Sequence, residues 1–136
     1  MRFMKGEGPF GDWFTHVLDW YKASRNSENI LFIKYEEMQK DLSAVVSTIA
    51  KFIDVPLKPS LLDRVLEKSE FSSMAKNPRM NYQWKEEWKD QVPKMMRKGV
   101  VGDWQNQFTA EQKMVFNALY QDKMGDFGLQ FDFYLD

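Results

Sequence analysis

The chain has 136 residues, 43% of them hydrophobic, enough to build one packed domain. Its 19 basic and 20 acidic residues leave a net charge of −1, which excludes bulk electrostatic attraction to nucleic acid or to an anionic membrane. Cysteine is absent, which excludes a disulfide framework, a thiolate nucleophile and a cysteine-held metal.

The opening stretch "MRFMKGEGPFGDW" lacks the apolar core of a signal peptide, and no run reaches membrane-spanning length. A cytoplasmic protein is the expectation. Residues 11–24, "GDWFTHVLDWYKAS", place Trp13, Phe14, Val17, Leu18, Trp20 and Tyr21 at helical spacing, with Asp12 able to cap the first turn. "SRNSEN" is turn material. The apolar run at 30–35, "ILFIKY", reads as a strand buried on both faces, the kind found in parallel sheets. A second helix is expected from about Asp41 to Ile53, with Leu42, Val45, Val46, Ile49, Phe52 and Ile53 on its apolar side. "DVPLKPS" breaks it, and Ser60 followed by Asp63 reads as a capping box opening a third helix, "LLDRVLEKS". From 70 to 108 periodicity fails, and structureless stretches of that length in compact domains are usually functional. Thr109, with Gln112 at the reciprocal box position, opens a helix running to about Met124, and Gly125 stops it. The tail "LQFDFYL" alternates.

One buried strand, or two, cannot make a stable sheet alone. The chain therefore reads as part of a larger α/β domain, mostly helical here, whose remaining strands are missing. The whole of 1–136 is expected to form one portion of that domain.

Four groups of residues bear on chemistry. Arg97, Lys98 and Gly99 join a planar fork, a mobile point charge and a residue that lets backbone N–H groups approach an anion. The same triplet also suits an exposed basic turn. Ser69 and Phe71, where a helix runs into a loop, offer a hydroxyl for the edge of a base and a ring for its face, or else a turn residue and a core anchor. Tyr35, Glu36 and Glu37 follow the strand at its C-terminal end, where α/β ligand sites gather, or begin the next helix. His16, the only histidine, has no nucleophile or carboxylate arranged around it and reads as structural. There is no Walker-type loop and no metal-ligand cluster, and no aromatic–basic stripe recurs to suggest nucleic-acid binding.

The order of motifs says more than any one of them. "GDWFTHVLDWY", "NILFIKYEEM", "EKSEFSSMAKNP", "NY", "MRKGVVGDWQNQFT" and a closing "KM" with "L-x-F" resemble the C-terminal half of the cytosolic sulfotransferases, over essentially the whole chain. The "RKG-x-x-GDW-x-N-x-FT" block is the most specific part. The resemblance implies a P-loop-like, parallel-sheet α/β fold. It also implies transfer of a sulfuryl group from 3′-phosphoadenosine 5′-phosphosulfate (PAPS) to a hydroxyl or amine of a small acceptor, whether phenol, alcohol, steroid or amine.

By the same resemblance, Arg97, Lys98 and Gly99 match the segment holding the nucleotide's 3′-phosphate, with Met96 just before it. Tyr35 and Ser69 match residues that hydrogen-bond the adenine, Ser69 replacing the usual threonine, and Phe71 matches the aromatic lying on the ring. Phe14 and Tyr82 match regions lining the acceptor pocket, and "NPRMNYQWKEEWKDQVPKMM" corresponds to a mobile cover over the site. The family's phosphosulfate loop, leaving-group lysine and general-base histidine match nothing in this chain, so no catalytic residue is assigned. His16 aligns with the helical "W-x-x-H-V", not with the base. A chain with these gaps is expected to be inactive alone, and the alternative is a non-catalytic nucleotide-binding or interaction module. The family's dimer segment is degenerate: Gln105, Ala110 and Met114 replace its Lys, Val and Glu, and only Thr109 persists, which argues against a homodimer by that route.

Overall fold

A computed structural model describes residues 2–81 and 95–132. The chain divides into two compact units, one comprising Met1–Glu36 and Val101–Asp136, the other Glu37–Val100.

The first unit is built on two helices, α1 (Trp13–Arg25) and α6 (Ala110–Met124), which pack together. Asp12 caps α1: its carboxylate accepts from the Thr15 N–H at 3.1 Å and from the Thr15 hydroxyl at 2.8 Å. Thr109 caps α6 in the reciprocal manner read from the sequence. Its hydroxyl accepts from the Gln112 N–H at 3.2 Å, while the Gln112 side chain accepts from the Thr109 N–H at 3.0 Å. Gly125 closes α6, its N–H bonded to the Gln121 carbonyl, yet keeps helical dihedrals; the left-handed residue that turns the chain is Gly128, with φ 66°. Phe14 and Leu18 from α1 meet Phe116, Tyr120 and Met124 from α6, and Leu129 completes the buried cluster. The rings engage at tilted and edge-on angles, with Phe14–Phe116 centroids 6.2 Å apart and Trp104–Phe116 5.4 Å apart.

The bonds from Thr15 hold the Asp12 carboxyl below its ordinary value of 3.8. A pKa lower in the folded state means that the unfolded chain binds more protons in acid, so stability rises with pH there. The Asp12 contribution is present in full above the ordinary carboxylate value and is lost as pH falls through the lowered one. Asp12→Asn keeps a capping oxygen but cannot titrate, so the difference in urea midpoint between the two chains is expected to shrink on acidification from pH 6 to pH 3. A constant difference would show that the cap carries no linkage.

The strand expected at 30–35 is not a strand. Residues 30–34 are half-buried without ladder hydrogen bonds, and Tyr35 already opens a helix. A strand exists only as paired backbone, and none of the described residues offers an edge. Side chains attach the segment instead: Phe32 meets Tyr21 edge-on at 5.4 Å, and Lys34 Nζ donates to the Gln130 carbonyl at 3.1 Å.

Helix α2 (Tyr35–Lys40) contains the boundary between the units, and the second unit continues with α3 (Leu42–Phe52), α4 (Pro59–Ser69) and α5 (Phe71–Lys76). Asp41 separates α2 from α3 and caps the latter, accepting from the Ala44 N–H at 2.9 Å. Val46 and Ala50 of α3 are buried, and α4 packs on both α3 and α5. A cap at Ser60 is expected from the sequence; the cap lies two residues earlier, at Lys58, which makes no side-chain bond, and the helix opens on Pro59. Pro59 explains the shift, because its preset φ suits the first helical position and it has no N–H to leave unsatisfied.

Candidate functional site

The second unit concentrates the residues expected to hold a nucleotide. Glu70 sits between α4 and α5 with ψ 139°, outside helical space, and turns the chain while satisfying its own backbone. Its N–H donates to the Leu66 carbonyl at 3.1 Å, and its carbonyl accepts from Ser73 at 3.0 Å and Met74 at 2.9 Å. Ser69 and Phe71 therefore flank a sharp corner, both half-buried. Here α5 is a helix inside the stretch read as aperiodic, and its six residues are too short to show a 3.6-residue pattern.

The loop 95–100 lies against this corner. Gly99 has φ 66°, in left-handed space, and its Cα faces the Phe71 ring. A Cβ there would lie 2.8 Å from both Cγ and Cε2 of Phe71 and closer still to Cδ2. Both the dihedral and the space demand glycine. Arg97 and Lys98, immediately before it, are exposed, and Met96 is half-buried. The predicted cradle and the predicted ring are thus brought together.

Sequence reasoning missed Asn81, which is 7% exposed. Its Nδ2 donates to the Ala75 carbonyl at 3.0 Å and the Asn77 carbonyl at 3.4 Å, and its Oδ1 accepts from the Met96 N–H at 3.3 Å. The available signal was an asparagine, among several turn-like residues, directly before a candidate pocket tyrosine.

The remaining candidates fall elsewhere. Tyr35 belongs to the first unit, at the start of α2, and is 46% exposed. Phe14 is a core residue at 2% exposure, and its neighbour Trp13 faces a cavity of about 150 Å³. That cavity is largely apolar, lined by Trp104, Phe116 and Phe131 with Glu36 and Asp132 among its polar groups. Tyr82 and the rest of 82–94 lie outside the described residues. His16 is exposed on α1 beside Trp20, with centroids 6.5 Å apart. In "GDWQN", Gly102 is left-handed and buried Asp103 accepts from Asn106 Nδ2 at 3.0 Å, which fixes a single 3-10 turn (Asp103–Asn106) and lays Trp104 against Phe108 and Phe116. Thr109, the one persisting dimer-segment residue, is engaged in the cap of α6. Among the described residues no group of His, Asp and Glu could hold a metal, and no helix is long and apolar enough to cross a membrane.

A model of the sulfotransferase domain matches residues 1–128. The chain belongs to the sulfotransferase family. Mouse sulfotransferase 1 family member D1 is 39% identical over 132 residues, covering 96% of this chain and 44% of the relative; mouse sulfotransferase 2A6 is 40% identical, covering 93% and 44%. The chain thus spans less than half the length of the curated relatives it matches. Among solved structures, mouse sulfotransferase SULT7A1 complexed with PAP matches with a TM-score of 0.75 and 34% identity over 93% of this chain and 45% of that one. Retinol dehydratase in complex with retinol and PAP matches with a TM-score of 0.87 and 26% identity, covering 96% and 39%. The architecture is accordingly a partial sulfotransferase fold, and in this chain it is helical among the described residues.

Proposed function

We propose that this chain supplies the 3′-phosphate and adenine side of a PAPS site in a sulfotransferase. The observation that carries the reading is the exposed Arg97–Lys98 pair leading into a left-handed glycine that seats on Phe71. The residues fit the nucleotide chemically. A guanidinium fork and an ammonium suit a phosphate, a left-handed glycine turns backbone N–H groups toward an anion, and a ring beside them suits a purine. When bound, PAPS would supply the sulfuryl group: a bond from the acceptor oxygen or nitrogen to sulfur would form as the S–O bond to the nucleotide's phosphate breaks, releasing adenosine 3′,5′-bisphosphate and a proton to solvent.

Arg97 and Lys98 would bind charge and perform no bond-making, and Gly99 would set the loop's curvature. Within the second unit Phe71 would stack on the adenine, Ser69 would offer its hydroxyl to the base edge and Met96 would lie beside the nucleotide; the family resemblance also assigns Tyr35 to the adenine and Phe14 and Tyr82 to a small acceptor. Orientation and electrostatic stabilisation are the contributions of such groups to transfer. The sequence contains no "Y-P-K-[SA]-G-T" loop, so this reading expects binding without turnover from the 136-residue chain alone.

Calorimetric titration of the full chain with adenosine 3′,5′-bisphosphate and with AMP tests the proposal. Tighter binding of the bisphosphate, by on the order of tenfold or more, is expected, since one added charge-assisted contact is worth about that much. Equal affinities would overturn the 3′-phosphate assignment, and detectable sulfuryl transfer would show that the reacting groups have been misplaced.

A further inference from the structure

Asn81 and Asp103 are the two buried polar side chains among the described residues. Asp103 closes its own local turn. Asn81 does something different, joining the carbonyls at the end of α5 to the N–H of Met96, 15 positions further along the chain from itself and the residue directly before Arg97. An amide suits that junction because it donates to two carbonyls and accepts from one N–H at once. A carboxylate would lack the donors, and an apolar side chain would leave three backbone groups without these partners. The loop is thus attached to α5 at two places, through Asn81 near the last turn and through Gly99 against Phe71 at the first residue.

We infer that Asn81 is a positioning residue for the anion cradle, holding the Met96 peptide on α5 so that Arg97 and Lys98 present their charges from a fixed backbone. The inference rests on the nucleotide reading proposed above. Its content is that Asn81 governs recognition of the 3′-phosphate in particular, without touching the nucleotide. A purely structural asparagine would weaken every ligand alike.

The experiment compares the full chain with Asn81→Ala, titrating adenosine 3′,5′-bisphosphate and AMP against each. The variant is expected to lose about tenfold in affinity for the bisphosphate and less than about twofold for AMP, a change of one hydrogen-bonding step confined to one ligand. Equal losses for both, or no loss for either, overturn the positioning role. Should the unmodified chain itself fail to prefer the bisphosphate, the nucleotide reading falls and takes the inference with it, an outcome distinguishable from failure of Asn81 alone. Should Asn81→Ala not fold, amide hydrogen exchange on the unmodified chain decides. The Met96 N–H is expected to exchange at least about tenfold more slowly than an open peptide, because it donates to a buried acceptor. Exchange at the open rate overturns the tether.

Discussion

Replacing Gly99 with valine is expected to lower the unfolding free energy by roughly 2–6 kcal/mol and to remove measurable binding of adenosine 3′,5′-bisphosphate. Two separate costs add. With φ at 66°, a β-branched residue is held in left-handed space, at about 1–3 kcal/mol. Its Cβ then meets the Phe71 ring, with Cγ and Cε2 2.8 Å away, and displacing a half-buried ring costs about 1–3 kcal/mol more. A double-mutant cycle separates them. Gly99→Ala in the unmodified chain carries both costs, whereas in a Phe71→Ala background only the dihedral cost of about 1–2 kcal/mol should survive. Urea denaturation of the four chains reads the difference. An identical cost for Gly99→Ala in both backgrounds would mean that the loop does not rest on Phe71, and the cradle would lose its seat.

The features legible in the sequence are those that a few neighbouring residues decide. Asp12 and Thr109 cap their helices by bonds spanning three positions, so α1 and α6 could be placed from short patterns. The pairing of two cations with a glycine was visible for the same reason. What was illegible depends on contacts distant along the chain. The run 30–34 has strand composition, but strand formation is decided by a neighbouring backbone that local composition does not specify. Helix α5 is hidden because six residues give no periodicity and its start is set by a corner at Glu70, a residue with no turn preference. The importance of Asn81 comes from bonds across 4, 6 and 15 positions, and "NPRMNY" read alone is only a turn. Pro59 was visible as a break, yet it acts as a beginning, since a proline ends one helix and suits the first position of another equally well.

Replacing Arg97 and Lys98 together by alanine is expected to weaken binding of adenosine 3′,5′-bisphosphate by about 100-fold or more while leaving AMP within about twofold. The estimate turns on which kind of ionic contact applies. Exposed pairs between flexible side chains are worth about 0–1 kcal/mol, and at that level the double change would be hard to detect. Charge-assisted bonds to a phosphate are worth about 1.5–3 kcal/mol each, because the guanidinium fork matches two oxygens and the loop is fixed beforehand by Gly99 and Asn81. Fixed presentation spares part of the ordering cost that reduces ordinary surface pairs, which favours the larger figure. Arg97→Lys then serves as a graded control: it preserves charge but not the fork, so an intermediate loss of about tenfold is expected. Salt gives an independent reading. Affinity of the unmodified chain for the bisphosphate should fall between 0.05 and about 0.5 M salt as the Debye length shortens to a few ångströms, and the double variant should show a clearly shallower dependence. Unchanged affinity in the double variant, or an undiminished salt response, would return Arg97 and Lys98 to the role of a solvated turn and leave Phe71 and Ser69 without the anion site that makes them a nucleotide pocket.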